Sequence, residues 1–98
     1  MVKILFQEGK LDLVLYPNPA NNHLQLSIPS ANSQQAKIII YNASGMLMYS
    51  NTIMLKQGLN AVELNINRWE QGSFLAQIIT PAQSLSRKFI ISRKGQGN

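Results

Sequence analysis

The chain has 98 residues, with 9 Lys and Arg against 4 Asp and Glu, a single histidine and no cysteine. That length supports one core and excludes a second domain of useful size. A hydrophobic share of 45% with 13% charged residues excludes a disordered chain, and the missing cysteines exclude disulfides, zinc–thiolate sites and a cysteine nucleophile.

Residues 1–10 read as a linker. Its apolar start, Met1 to Phe6, is too short for a secretory signal, whose apolar core needs about 7 to 15 residues. An exported role therefore implies that the segment is the tail of a longer precursor. Gln7-Glu8-Gly9-Lys10 is polar, contains a glycine and precedes the first strand-like run, so a protease could grip it in extended form.

From residue 11 the hydrophobic period is two almost throughout. Leu11 to Tyr16 opens the series. His23 to Ile28 places Leu24, Leu26 and Ile28 on one face, as expected for a half-buried antiparallel strand. Ala36 to Tyr41 carries Ile38, Ile39 and Ile40, whose β-branched side chains suit a pleated surface. Met46 to Ile53 makes a further strand. Ala61 to Ile66 alternates with Val62, Leu64 and Ile66 inward, followed by Asn67 to Glu70 as the best candidate for a helical turn. Ser73 to Thr80 and Leu85 to Ile91 complete the set, and residues 93–98 read as a flexible tail because of Gly95 and Gly97.

Turn residues break these runs at intervals of about ten, with prolines fixing φ and glycines and asparagines accepting positive φ. Seven short strands with polar turns predict an all-β, immunoglobulin-like antiparallel β-sandwich over residues 11–92. The predicted core is Leu24, Leu26, Ile28, Ile38, Ile40, Leu47, Val62, Leu64, Ile66, Phe74, Ala76, Ile78, Phe89 and Ile91. An exposed edge strand would also permit a homodimer.

Catalytic chemistry finds little support. The four acids are Glu8, Asp12, Glu63 and Glu70, with Glu8 and Asp12 near a loose end and Glu63 on a polar strand face. They do not form the paired carboxylates of a hydrolase. His23 has no second histidine for a metal site or triad and reads as a surface residue. No cofactor is expected, and glycine-rich phosphate loops are absent from the pattern. The cations Arg87, Lys88, Arg93 and Lys94 fall within the last dozen residues, without interleaved aromatics for base stacking. They read as edge-protecting charges and not as a nucleic-acid surface. Asn42-Ala43-Ser44 matches a glycosylation sequon, but Asn42 reads as a turn residue before Gly45. Tyr16, Tyr41, Tyr49 and Trp69 would have to form a row for the alternative reading, a carbohydrate-binding or adhesive β-sandwich module on a secreted enzyme.

Three pieces, in order, carry a family resemblance. They are Leu15-Tyr16-Pro17-Asn18-Pro19-Ala20; Ile40-Tyr41-Asn42-Ala43-Ser44-Gly45-Met46-Leu47; and Gly58-Leu59-Asn60 with Leu64-Asn65-Ile66, Gly72 to Ile78 and Arg87-Lys88-Phe89-Ile90-Ile91. Over about residues 13 to 92 the chain resembles the C-terminal sorting domain of the type IX secretion system of Bacteroidetes, the Por secretion tail. The resemblance implies an address tag on a cargo-bearing precursor that reaches the periplasm and folds there. The tag is recognised by the outer-membrane translocation machinery and, in many members, removed by a sortase-like protease before the cargo reaches the cell surface or is released. It also implies sorting-signal roles for Pro17, Asn18, Pro19, Gly45, Gly72, Phe74 and Lys88, and places the cleavage linker at Gln7, Glu8, Gly9 and Lys10. Three departures stand out: Asn42 where the family favours aspartate, Phe74 where it favours tyrosine, and a continuation from Ser92 to Asn98 where members tend to end within a few residues of the last strand.

Overall fold

The computed structural model describes residues 11–93, so the cleavage segment Gln7–Lys10 and residues 94–98 lie outside it. Seven strands follow in order: β1 (Val14–Tyr16), β2 (His23–Ser30), β3 (Gln34–Asn42), β4 (Leu47–Leu55), β5 (Gly58–Asn65), β6 (Gly72–Ile79) and β7 (Ser84–Ile91). They form a three-stranded sheet ordered β1-β2-β5 and a four-stranded sheet ordered β4-β3-β6-β7, with every pairing between strands antiparallel. The expected immunoglobulin-like sandwich is therefore the observed architecture.

Alternation makes the core. Leu24, Leu26 and Ile28 of β2 face Ile38 and Ile40 of β3 and Phe74, Ala76 and Ile78 of β6 across the sandwich, and all are buried. Burying each large side chain stabilises the fold by about 1.5 to 3 kcal/mol relative to exposure. Leu11, Leu13, Leu15, Ala20, Ala36 and Leu55 are buried as well and extend the core beyond the expected set.

Two expected core members lie elsewhere. Leu47 is 54% exposed, because a register shift between Ile40 and Tyr41 pairs it with Tyr41 on the outer face. An inserted residue reverses the side-chain alternation, and the period-two pattern cannot reveal it. Val62 is only partly buried, since β5 is the edge of the smaller sheet.

Asn67 to Glu70 forms no helix. Trp69 N donates to Ile66 O at 3.0 Å, closing a single turn, and Asn67 N donates to the Asn65 side chain at 2.9 Å. Asp12 is not loose: its carboxylate accepts from Leu13 N and Arg87, both at 2.8 Å, joining the lead-in to β1 to strand β7. With both side chains nearly half exposed, this ion pair contributes at most about 1 kcal/mol.

Arg93, expected in a flexible tail, is anchored. Its backbone N–H donates to Gln71 Oε1 at 2.8 Å, and its guanidinium donates to the carbonyls of Asn21, Ile66 and Trp69. A planar guanidinium with five donors suits three carbonyls arriving from two loops, Asn21 from one and Ile66 and Trp69 from the other.

Candidate functional site

Strand register brings the expected recognition residues to one end of the four-stranded sheet. There Asn42 opposes Phe74, Phe74 opposes Phe89, and Gly72 opposes Ile91. The Pro17-Asn18-Pro19 corner reaches the same end from the other sheet. It lies exposed along the free edge of β7, where Ile90 N donates to Asn18 Oδ1 at 3.0 Å. Ala20 follows as a fully buried anchor, bridging to Ile91, with its N–H donating to Ile90 O at 2.8 Å and its carbonyl accepting from Ser92 N at 2.9 Å. The corner thus occupies backbone groups of the β7 edge that would otherwise be open to another strand.

The turn between β3 and β4 is built by one side chain. Asn42 Oδ1 accepts from Ser44 N at 3.0 Å, Ser44 Oγ at 3.0 Å and Met46 N at 2.9 Å. Asparagine is favoured here because its short amide oxygen imitates a backbone acceptor. An aspartate oxygen would accept the same bonds, so the departure at Asn42 preserves the geometry. Gly45 sits at φ +88 with its N–H donating to Asn42 O at 2.9 Å. A side chain there would meet no steric block but would carry left-handed backbone strain on the order of 1 to 2 kcal/mol. Gly72, at φ +146, imposes the same restriction where β6 begins.

Beside this hairpin, a groove of about 590 Å³ is lined by Tyr41, Asn42, Gly45, Leu75 and Lys88, with Ser73 and Phe74 also contributing. Tyr41, Leu75 and Lys88 form one cross-strand row on the outer face, running over β3, β6 and β7. Gly45 and Lys88 are exposed at the groove, and neither Lys88 nor Lys37 pairs with a carboxylate among the described residues. Phe74 is different. Only 5% exposed, it stacks on Phe89 at 5.1 Å between ring centroids and packs against Trp69 at 5.6 Å. Its ring belongs to the core beneath the groove.

Several residues of this end have little signature in the sequence. Tyr41, Ser73 and Leu75 line the groove only because β3, β6 and β7 are neighbours, an adjacency that a strand pattern leaves open. Arg93 reads as one more tail cation until the fold supplies its carbonyls. The four aromatics of the carbohydrate reading do not make a row. Tyr16 lies on the outer face of the smaller sheet, Tyr41 on that of the larger, Tyr49 packs on the core from β4, and Trp69 packs against Phe74. No group of three or more His, Cys, Asp or Glu among the described residues is placed to hold a metal ion, and no helix there is long and apolar enough to cross a membrane.

Comparison with known proteins agrees with this fold. Among solved structures, the chain is similar to the crystal structure of dimeric latent PorU from Porphyromonas gingivalis, with a TM-score of 0.72 and 17% identity. The match covers 86% of this chain and 9% of that one, and at this identity the likeness is one of fold. No curated protein matches the chain. A family profile described as the secretion system C-terminal sorting domain matches residues 14–92. The chain belongs to that family, the C-terminal sorting signals of the type IX secretion system.

Proposed function

We propose that this domain is read as a folded label by the outer-membrane type IX translocation machinery while its precursor is in the periplasm. The label carries no reaction of its own. A sortase-like protease then removes it through the segment Gln7–Lys10, leaving the cargo at the cell surface or free outside the cell. The observation that supports this reading best is the gathering of Pro17 to Pro19, Gly45, Gly72, Phe74 and Lys88 at one sheet end, from sequence positions some 70 residues apart. Within the set the roles divide. Phe74, Gly72 and Asn18 maintain the shape, through the aromatic stack, the strand start and the β7 edge, whereas Lys88 and the Gly45 hairpin present it to a partner.

The test is a reporter carrying a periplasmic signal at its start and residues 1–98 at its end, expressed in a host with the type IX machinery. Surface or extracellular reporter that disappears in a machinery-deficient strain is the expected result. A folded, intact fusion retained in the periplasm of the competent host would overturn the reading. Replacing Gln7–Lys10 by a stiff proline-rich segment should leave export in place and block release of the domain, as seen by the size of the surface product.

A further inference from the structure

The two outer faces of the sandwich differ in charge. On the smaller sheet, the outward positions of β1, β2 and β5 carry exposed apolar groups at Val14, Tyr16 and Leu59 beside His23, Gln25, Ser27, Asn65 and one acid, Glu63. On the larger sheet, the outward row Leu47-Tyr41-Leu75-Lys88 is followed by Ile39 and Gln77, then by Lys37 and Ile79. Leu47 is 54% exposed, Ile90 47% and Ile79 37%. No acid occupies an outward position of β3, β4, β6 or β7, and the two cations there lack carboxylate partners among the described residues. An apolar floor with unpaired lysines is the complement of a protein surface offering an apolar side chain beside carboxylates.

We infer that the outer face of the four-stranded sheet, centred on the Tyr41-Leu75-Lys88 groove, docks an acidic, apolar segment of a protein of the secretion machinery. The inference rests on the sorting-signal reading and names the surface and the partner chemistry. The groove, at about 590 Å³, accommodates one large apolar side chain of that segment, with Lys88 at its rim meeting a neighbouring carboxylate. The Asn42–Gly45 turn forms the opposite wall, so a register error in the hairpin would close or tilt the site.

The test compares export of the reporter fusion with Lys88→Glu, Lys88→Arg and Glu63→Lys, each checked for folding by its melting transition. Lys88→Glu should reduce exported reporter about tenfold or more through like-charge repulsion. Lys88→Arg, which keeps the charge, should lose far less than Lys88→Glu, and Glu63→Lys, on the opposite face, should not change export. Suppressors of Lys88→Glu should be acid-to-base changes in an envelope protein of the machinery. Parent-level export of folded Lys88→Glu would overturn the inference while leaving the sorting role standing; absence of export in the parent fusion would instead remove the sorting role. Lys88-dependent binding of the 98-residue chain to phosphatidylglycerol vesicles would also overturn it, in favour of a membrane surface.

Discussion

The two ends of the sandwich are closed by different kinds of contact. At the end holding the groove, the local Asn42 turn is joined by side-chain hydrogen bonds that span long stretches of chain: Asn18 to Ile90, and Arg93 to Asn21, Ile66 and Trp69. At the opposite end, most are local. Ser30 Oγ donates to Asn32 O, Thr80 Oγ1 donates to Gln83 O and accepts from Gln83 N, and Asn60 bonds within the β4–β5 turn. The main exception is Asn60 Nδ2 donating to Ile28 O at 3.0 Å. Local turns form wherever their sequence occurs, but long-range contacts exist only once the sandwich has closed. On the proposed reading, a label at the long-range end reports that the domain is folded.

The sharpest way to break this contrast is to remove the ring under the groove. Phe74→Ala should cost about 3 to 5 kcal/mol in chemical denaturation, because the cavity opens between Phe89 and Trp69. Export of the fusion should fall with it. Next in size is Arg93→Ala, which leaves three loop carbonyls without their charged donor and should cost about 1.5 to 3 kcal/mol. Arg93→Lys should recover only part of that loss, since one ammonium cannot replace the planar fork.

A matched pair refines the contrast. Asn42→Ala and Asn60→Ala each remove a side chain that organises one turn, at opposite ends, and each should lose about 1 kcal/mol. At equal folded fraction, only Asn42→Ala should lower export. Equal loss from both would mean that the two ends are equivalent to the machinery. The smallest effect belongs to Asn42→Asp, which keeps the acceptor for Ser44 and Met46; its denaturation midpoint and export should stay near the parent.

Much of the fold was legible because it depends on alternation. In β2 from Leu24 and in β6 from Phe74 every second residue is buried, and all of these but Ser30 are apolar. Legibility failed where geometry depended on a distant partner. Leu47 follows a turn whose register shift reverses its face. Ala20 is small and follows a proline, so nothing local marks it as a buried anchor against Ile91. Leu13 and Leu15 do alternate, but lie next to the polar linker that precedes them. At the site, motif residues such as Gly45 and Lys88 were recognisable one at a time. Their meeting with Tyr41 and Leu75 required the strand order of the larger sheet, in which β6 lies between β3 and β7.

The position of β7 has a consequence for protein synthesis. It supplies Phe89 to the aromatic stack and Ile90 and Ile91 to the proline corner, and Arg93 follows directly. A ribosome reaches these residues after every other strand of the domain has been made. A product of premature termination or a broken message would thus lack a finished label and stay behind, so the envelope would display only cargo translated through to this point.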